Sequence, residues 1–360
     1  GLFALALAVG MAPELLPAVT TIAMSAGAKR LLAKKVLVNK LNAIQNLGEI
    51  DLLCTDKTGT ITEGMIEVAE ILNAAGEADE FVRELAYWNA AYQSGYSNPI
   101  DEALKRMPAR PQMHASKTGE LPYDFQRKRL SICIQSDNRH YLITKGAFKE
   151  LLTCCTKVRL NNETFCEIHA EKNKLNDLFV KFGNSGLRVI GVAYKEIKNA
   201  PVAVSEESDM VFAGFVLLQD PVKAGITEVI AELKQLKVDI KIITGDNRNI
   251  ARSIALKLGI ADPVIIAGEE LTAIAPEALA EKVKHTHIFA EMEPQQKERL
   301  IKVLKTSCTV AYMGDGINDV TALNAADVGI SVDNAADVVR EAADFVLMEK
   351  DLSVLAEGIK

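Results

Sequence analysis

Three apolar runs in this chain each end directly in a polar loop that carries a carboxylate. The run 50–55 precedes Asp56-Lys57-Thr58-Gly59-Thr60, and a second run precedes Thr244-Gly245-Asp246. A third run, 308–312, precedes Met313-Gly314-Asp315-Gly316-Ile317-Asn318-Asp319. Continuous apolar runs are typical of buried parallel strands, and open α/β sheets place their chemistry at the carboxyl ends of such strands. The pattern predicts an α/β fold whose loops after these strands carry the chemistry.

The residue types in these loops indicate phosphate chemistry. A carboxylate such as Asp56 can attack a phosphoryl group and form an aspartyl phosphate. Because this brings negative charges together, the site needs a metal ion and a fixed ammonium group. Magnesium takes one or two protein carboxylates together with phosphate oxygens and water, so Asp56 and Asp315 are candidate ligands, with Asp319 nearby. Lys297, in a helical pattern led by Pro294, is the candidate ammonium, although a single lysine there is usually a solvated surface residue.

The loop Thr244-Gly245-Asp246 precedes a helical pattern that begins near Ile250. Thr244 and the backbone of Gly245 can donate hydrogen bonds to phosphate oxygens at that helix start. Each loop is a weak signal alone, but the ordered set is highly specific. In this order, the motifs resemble those of the P-type cation-transporting ATPases, whose catalytic core is of the haloacid-dehalogenase type.

The resemblance covers essentially the whole chain and implies a role for each loop. Asp56 would be the phosphorylated residue, with Thr58 and the surrounding backbone holding metal and phosphate. Asp315 would be the second metal ligand, and Lys297 would neutralise the phosphoryl group. The predicted catalytic residues are Asp56, Lys57, Thr58, Thr244, Gly245, Asp246, Lys297, Asn318 and Asp319, and the predicted metal ligands are Asp56, Thr58 and Asp315.

Motifs between the first two loops resemble the nucleotide-binding domain of the family. Leu121–Ser131 resembles the adenine-platform motif, with Tyr123 in the usual phenylalanine place, and a tyrosine ring can also stack on adenine. Lys145-Gly146-Ala147 resembles the KGA element, in which the glycine lets the base approach. Asp101 is either an acid near the base or a first-turn acid favoured by the helix dipole. The predicted nucleotide-binding residues are Asp101, Tyr123, Lys128, Lys145, Gly146 and Arg188, the last reaching the phosphate chain.

The first 28 residues contain one ionisable side chain, that of Glu14. This segment is longer than the roughly 20 residues that a helix needs to span a bilayer. The pattern predicts one N-terminal transmembrane helix, although a buried helix of a soluble domain is the alternative. Basic residues follow the segment directly, which predicts that the catalytic domains are cytoplasmic. The expected location is a membrane, and specifically a bacterial plasma membrane.

Pro13 and Pro17 lie within this segment and remove backbone hydrogen-bond donors. Carbonyl groups near Val9, Gly10 and Ala12, together with the carboxylate of Glu14, therefore form a candidate site for a hard cation. The matching element of the family is the unwound part of the fourth membrane helix, where the transported ion binds.

Other cues concern the transported ion and the partners. Motifs at 38–48 and 93–99 resemble the magnesium-importing branch more than the calcium or proton branches. The membrane segment contains no Cys-Pro-Cys, which argues against a soft-metal pump.

A net charge of −7 gives no reason to expect nucleic-acid binding. The expected cofactor is Mg²⁺, the expected substrate is ATP, and the expected partners are the transported cation, the lipid bilayer, and the actuator domain and other membrane helices of a full-length pump.

The predicted fold is α/β, with a doubly wound parallel-sheet phosphorylation domain, an inserted α+β nucleotide-binding domain and one transmembrane helix. The predicted segments are a membrane helix with its stalk (1–35), a phosphorylation domain in two parts (36–64 and 220–348), a nucleotide-binding domain (65–219) and the start of a second stalk (349–360). The chain is expected to be a fragment that does not transport ions alone.

Two other functions agree with some of the motifs. A soluble phosphatase of the same superfamily would share Asp56 and Asp315, but such enzymes usually carry an acid where Thr58 stands here, and the threonine favours a long-lived phosphoenzyme. A purely nucleotide-binding fragment with vestigial chemistry is the other alternative. The sequence argues against this second alternative, because each position of the catalytic motifs keeps the side chain that the chemistry needs.

Overall fold

The structure, a computed structural model, describes residues 2–95, 98–107, 115–136, 139–161, 164–198 and 203–359, without the side chains of residues 2–16 and 276–277. The strands are β1 (Val36–Val38), β2 (Leu52–Asp56), β3 (Glu67–Asn73), β4 (Ser116–Asp124), β5 (Arg129–Ser136), β6 (Arg139–Ala147), β7 (Cys155–Arg159), β8 (Phe165–Glu167), β9 (Arg188–Ile197), β10 (Met210–Gln219), β11 (Asp239–Ile243), β12 (Ile265–Ala267), β13 (Ile288–Ala290), β14 (Val310–Met313), β15 (Val328–Val332) and β16 (Phe345–Leu347). The helices are α1 (Leu2–Ala33), α2 (Ala43–Glu49), α3 (Glu80–Tyr92), α4 (Pro99–Lys105), α5 (Phe148–Leu152), α6 (Ile168–Asn184), α7 (Ile226–Gln235), α8 (Arg248–Lys257), α9 (Gly268–Ala273), α10 (Pro276–Lys284), α11 (Pro294–Leu304), α12 (Val320–Ala325), α13 (Asp337–Ala342) and α14 (Leu352–Ile359), with 3₁₀ turns at Val204–Glu206 and Ile317–Asp319.

The chain divides into two compact units, the first made of residues 1–63 and 222–360 and the second of residues 64–221. In the described part of the first unit, the strands form one sheet in the order β1-β16-β15-β14-β2-β11-β13-β12. Neighbouring strands are parallel except β1, which pairs with β16 in the antiparallel direction. The predicted α/β class with a parallel sheet is confirmed.

The apolar runs form strands without an alternating pattern because both faces of this sheet are covered. Leu53 packs into one buried cluster, whereas its neighbours Leu52 and Cys54 pack into another. Successive side chains of a strand point to opposite faces, so the two clusters lie on opposite sides of the sheet. A strand buried on both faces needs apolar residues at each position, and this explains the continuous runs in the sequence.

Strand β2 lies at the centre of the parallel sheet, between β14 and β11, and this position brings the three predicted loops together. Asp56 is in register with Ile243 at the end of β11, and Thr55 is in register with Met313 at the end of β14. Because the three strands are parallel and end at the same level, their following loops emerge at one edge of the sheet.

The second unit has a mainly antiparallel sheet in the order β4-β5-β6-β9-β10-β7-β8 among its described residues, and β3 pairs with part of β10. The pairing of β7 with β10 is parallel. Helices α3 and α4 pack on the face that carries Ile132 and Ile143, and helices α5 and α6 pack on the face that carries Cys133 and Phe215. Each helix layer therefore covers one face of the sheet.

Helix α1 continues from Leu2 to Ala33 through both prolines, so its backbone is not unwound there. Within the part of the chain that the structure describes, no helix is both long enough and apolar enough to cross a membrane. The predicted transmembrane helix is therefore not confirmed. The predicted ion site combines the carboxylate of Glu14 with backbone carbonyl groups near Val9, Gly10 and Ala12, and the side chain of Glu14 lies outside the described part of the structure.

Candidate active site

Asp56 is the last residue of β2, and a tight turn follows it. The carbonyl oxygen of Lys57 accepts hydrogen bonds from the backbone N–H groups of Ile61 and Thr62, at 3.0 and 3.2 Å. Gly59 adopts a φ of +70°, in the left-handed region that favours glycine. The turn therefore folds back on itself, which leaves the carboxylate of Asp56 at the edge of the sheet with its side chain 18% exposed.

Lys57 connects this turn to the loop after β11. Its ammonium group lies 2.7 Å from Oδ2 of Asp246, and the residue is 6% exposed. In the same loop, the hydroxyl of Thr244 accepts a 3.1 Å hydrogen bond from the N–H of Asp246. Asn247 caps helix α8 by accepting a hydrogen bond from the N–H of Ile250, at 3.0 Å. The loop is thus held by its own polar groups and by the charge of Lys57.

Lys297 lies between two of the carboxylates. It is on the first turn of α11, three residues after the proline that begins this helix, and it is 7% exposed. Its Nζ atom lies 2.8 Å from Oδ1 of Asp319 and 3.5 Å from Oδ1 of Asp56. Burial alone would lower the pKa of Lys297, but Asp56 and Asp319 outweigh this effect and raise it. The ammonium group therefore stays charged beside Asp56.

Tyr312 supports the carboxylate of Asp319 from within the sheet. It is fully buried on β14, and its hydroxyl donates a 2.6 Å hydrogen bond to Oδ1 of Asp319. Burial, with the charges of Asp319 and Asp56, raises the pKa of the Tyr312 hydroxyl well above its ordinary value, so this group stays protonated and donates. The other oxygen of Asp319 accepts a hydrogen bond from the N–H of Gly316 at 3.2 Å. Asp319 is therefore fixed by donors on both of its oxygens.

Three carboxylates in this site are arranged as a candidate centre for a divalent cation. One oxygen each of Asp56, Asp315 and Asp319 lie within 4.8 Å of one another. Such a set of hard oxygen donors fits Mg²⁺, which keeps several waters and needs only one or two protein carboxylates. Burial raises the pKa of Asp56. The charge of Lys297 lowers this pKa, whereas the charges of Asp319 and Asp315 raise it further. The charge of a bound cation would favour the ionised form of Asp56.

The second unit contains a buried ion pair at one end of its sheet. Asp101 is fully buried on the first turn of α4, and its carboxylate accepts a hydrogen bond from Nζ of Lys145 on β6. Asn98, the N-cap of α4, donates a 2.6 Å hydrogen bond to the other carboxylate oxygen of Asp101. Burial lowers the pKa of Lys145, and Asp101 opposes this shift. Asp101 is thus both a first-turn acid of its helix and the partner of Lys145.

The other predicted nucleotide-binding residues lie near the strand ends of this unit. Tyr123 is 51% exposed and meets Phe125 edge to face, with 5.4 Å between ring centroids. Lys128 pairs with Glu150 at 2.7 Å, and Arg188 is exposed at the start of β9. A Cβ atom at Gly146 would lie 2.5 Å from Cβ of Arg129, so the close approach of β5 itself requires a glycine here.

Comparison with known proteins identifies the family. The model of the P-type ATPase cytoplasmic domain N matches residues 29–225, which is more than half of the chain. The chain belongs to the P-type ATPase family. A second model, for haloacid dehalogenase-like hydrolases, matches residues 295–359, which include α11 from its second residue onward and the loop after β14 of this P-type ATPase. Both the family and the type of catalytic core that the motifs indicated are confirmed.

The curated relatives of this P-type ATPase include magnesium and calcium transporters. The chain is 38% identical over 371 residues to "Magnesium-transporting ATPase, P-type 1" of Salmonella typhimurium and 37% identical to the protein of that name from Escherichia coli strain K12. It is 31% identical over 386 residues to "Calcium-transporting ATPase 1" of Bacillus cereus. These matches cover 99% of the chain but only 41% to 43% of the relatives, so the chain spans about two fifths of their length.

The structure of this P-type ATPase chain brings part of the predicted catalytic set into direct contact. Asp56, Lys297 and Asp319 form one ion-pair network, and Lys57 with Asp246 forms a second. Thr58, Gly245 and Asn318 lie on the same loops with exposed surfaces.

Three polar residues that hold charged side chains in the two units were missed in the sequence. Tyr312 looks like an ordinary strand residue, and its position just before the Gly314-Asp315 loop is the one signal that marks it. Lys350, which contacts Asp315, and Glu207, which holds two arginines of the second unit, have no local signal. Their partners are distant in the sequence, and only the folded sheets bring them together.

Proposed function

We propose that this chain carries the catalytic units of an ATP-driven magnesium pump that is phosphorylated on Asp56. The observation that carries the proposal is the ion-pair network at the end of β2, in which Lys297 lies between Asp56 and Asp319. Family membership supports the reaction class. The identity of 38% to a protein named as a magnesium transporter, against 31% to one named as a calcium transporter, supports Mg²⁺ as the transported ion.

In the proposed reaction, a carboxylate oxygen of Asp56 attacks the γ-phosphorus of ATP. The bond from this phosphorus to the β–γ bridging oxygen breaks, and ADP leaves with that oxygen. Lys297 stabilises the charge that develops on the phosphoryl oxygens, since its pKa is raised and it stays an ammonium. The N–H groups and hydroxyls of the two loops beside Asp56 orient the phosphoryl group.

Asp56, Asp315 and Thr58 would hold the Mg²⁺ cofactor. When bound, this ion neutralises negative charge on the phosphate and on the carboxylates. Asp319 acts differently in this proposal, because its oxygens already accept hydrogen bonds from Tyr312, Lys297 and Gly316. It positions Lys297 beside the nucleophile.

The second unit would bind the nucleotide. Tyr123 supplies an exposed ring for the adenine, and Lys145 supplies an ammonium group whose charge Asp101 maintains in a buried setting. Lys128 and Arg188 are exposed cations that would reach the phosphate chain. Residues 65–219 would therefore be the nucleotide-binding domain, and 36–64 with 220–348 the phosphorylation domain.

Residues 1–35 would enter the membrane in the intact pump, with Glu14 and the backbone near Val9, Gly10 and Ala12 at the transported ion. Residues 349–360 would lead toward a further membrane helix. The lipid bilayer, an actuator domain and other membrane helices would be the partners of this chain, and the catalytic units would face the cytoplasm of a bacterial cell.

The test is to incubate the purified chain with Mg²⁺ and γ-labelled ATP, quench in acid, and measure protein-bound label that hydroxylamine removes. Asp56→Asn should abolish the label and retain ATP binding, because the amide cannot act as the nucleophile. Asp51→Asn is the matched control: Asp51 flanks the opposite end of β2, where its carboxylate accepts a 2.8 Å hydrogen bond from Thr309, and the label should persist. Label that survives in Asp56→Asn would overturn the assignment.

A further inference from the structure

Lys350 reaches the candidate active site from a distant part of the sheet. It lies in the loop between β16 and α14, and β15 separates β16 from β14. Its ammonium group forms an ion pair with Oδ2 of Asp315, on the loop after β14. The Lys350 side chain is 20% exposed and that of Asp315 is 30% exposed, so the pair is largely shielded from solvent.

The same side chain passes over the turn that follows Asp56. A Cβ atom built on Gly59 would overlap the end of the Lys350 side chain. The positive φ of Gly59 favours glycine at this position, and the end of the Lys350 side chain lies directly beside it. The ammonium group of Lys350 thus lies between the Asp56 turn and the Asp315 loop, where the proposed function puts the metal ion and the phosphate.

The loop that carries Lys350 is anchored on both sides. The ammonium group of Lys223 donates a hydrogen bond to the carbonyl oxygen of Lys350, and the N–H of Met348 donates one of 2.9 Å to the carbonyl oxygen of Lys35. Helix α14 follows directly and buries Leu352 and Leu355 in the core of the unit. The backbone of Lys350 is therefore fixed, whereas its long side chain can rotate away from Asp315.

We propose that Lys350 is an internal cation that competes with the catalytic Mg²⁺ for the carboxylate of Asp315 and so sets the Mg²⁺ concentration at which the site fills. The inference rests on the proposed function, because it takes Asp315 as a metal ligand. An ammonium and a divalent cation are both attracted to the same oxygen, and each lowers the affinity of the site for the other.

The experiment measures metal binding directly, without turnover. The full chain is stripped with chelator and titrated with Mn²⁺ in the absence of nucleotide, and free Mn²⁺ is followed by electron paramagnetic resonance. Lys350→Met should lower the Kd about tenfold, since one positive charge beside a partly shielded cation site is removed. Lys350→Arg should bind Mn²⁺ with a Kd close to that of the wild type, because the guanidinium keeps the charge. Asp315→Asn should greatly weaken binding at this site.

The matched control is Lys305→Met. Lys305 lies 3.1 Å from Asp327 in the same unit, with side-chain exposures of 32% and 27%, and Asp327 is outside the carboxylate cluster. This variant should leave the Kd unchanged. If Asp315→Asn leaves binding unaltered, the metal assignment of the proposed function fails. If Asp315→Asn weakens binding but Lys350→Met leaves it equal or weaker, the competition fails and the metal site stands.

A second measurement uses the wild-type chain and does not depend on the stability of any variant. Lysines are acylated briefly with acetic anhydride, with and without saturating Mg²⁺, and the modified residues are quantified by mass spectrometry. Mg²⁺ should raise the labelling of Lys350 about threefold or more as it loses its carboxylate partner, a change that corresponds to the loss of a modest ion pair. Labelling of Lys305 should stay constant. Unchanged labelling of Lys350 at saturating Mg²⁺ would overturn the proposal.

Discussion

The hydroxyl of Tyr312 and the ammonium group of Lys297 approach the same oxygen, Oδ1 of Asp319, at 2.6 and 2.8 Å. Tyr312 is fixed in the central part of the parallel sheet, and Lys297 is on the first turn of α11. The carboxylate of Asp319 therefore links the rigid sheet to the ammonium group of Lys297, which lies 3.5 Å from Asp56. The position of Lys297 depends on a phenol that does not itself contact the nucleophile.

Tyr312→Phe should slow phosphorylation of Asp56 about tenfold, because Asp319 loses one donor and holds Lys297 less firmly. The ring keeps its volume, so the free energy of unfolding should fall by only about 1–2 kcal/mol. The rate is measured by rapid acid quench with labelled ATP, and stability by urea unfolding. Tyr92→Phe is the control, because it removes a hydroxyl that donates to the carbonyl oxygen of Ala115 in the other unit. A wild-type rate in Tyr312→Phe would limit the hydroxyl to a structural role.

Lys57 and Asp246 should be energetically coupled, since their 2.7 Å ion pair joins two loops and Lys57 is 6% exposed. A double-mutant cycle of Lys57→Met and Asp246→Asn should give a coupling free energy of about 2 kcal/mol in urea unfolding. The Lys305–Asp327 pair, at 3.1 Å but about one third exposed, should give less than about 1 kcal/mol. Equal coupling in both cycles would contradict the expectation that the burial of Lys57 strengthens its ion pair with Asp246.

Lys145→Met should destabilise the second unit by about 3–5 kcal/mol, because it leaves the carboxylate of Asp101 buried without its cation. The double variant with Asp101→Asn should recover most of this loss, since neither charge is then buried. Neither variant should bind a fluorescent ATP analogue normally if Lys145 contacts the nucleotide. Lys105→Met, on the exposed side of α4, is the control and should change neither property. Normal ATP binding by the stable double variant would restrict the pair to a structural role.

The sequence predicted the parts of the fold that local pattern determines. Continuous apolar runs identified β2 and β14 as buried strands, and parallel pairing brings the loops after them to one edge. This topology brings Asp56 close to the loop that carries Asp315 and Asp319. The α/β class could be predicted for the same reason, whereas the family was predicted from the resemblance of the ordered loop motifs.

Contacts between side chains that are distant in the sequence could not be predicted. Lys350 reaches Asp315 only because β16 and β14 are both in the sheet, and no local pattern indicates this. Glu206 and Glu207 are neighbours in a polar segment, yet the side chain of Glu207 is fully buried and that of Glu206 is 45% exposed. The membrane helix was predicted from hydropathy, and the described part of the chain does not confirm it.

The buried carboxylate of Glu207 organises the β4–β5 hairpin. Arg127 and Arg129 donate hydrogen bonds to its Oε2 at 2.6 and 2.8 Å, and Ser131 donates one of 2.6 Å to its Oε1. Burial alone would raise the pKa of Glu207, but these donors outweigh it and hold the pKa below the ordinary value of 4.5. The ionised form is therefore the one that stabilises the fold.

Glu207→Gln should lower the free energy of unfolding by about 3 kcal/mol at neutral pH, because two arginines lose their shared anion. For a carboxyl group whose pKa is lower in the folded state, the stabilisation is fully present above the unfolded pKa and is lost as the pH falls through the folded pKa. The difference between wild type and Glu207→Gln should therefore be constant near neutral pH and shrink below about pH 4.5. Glu206→Gln, which alters a partly exposed partner of Lys195 at 3.3 Å, should cost less than about 1 kcal/mol. Urea unfolding of the three proteins over this pH range measures the effect, and a difference that persists undiminished in acid would show that the carboxylate charge of Glu207 does not stabilise the hairpin.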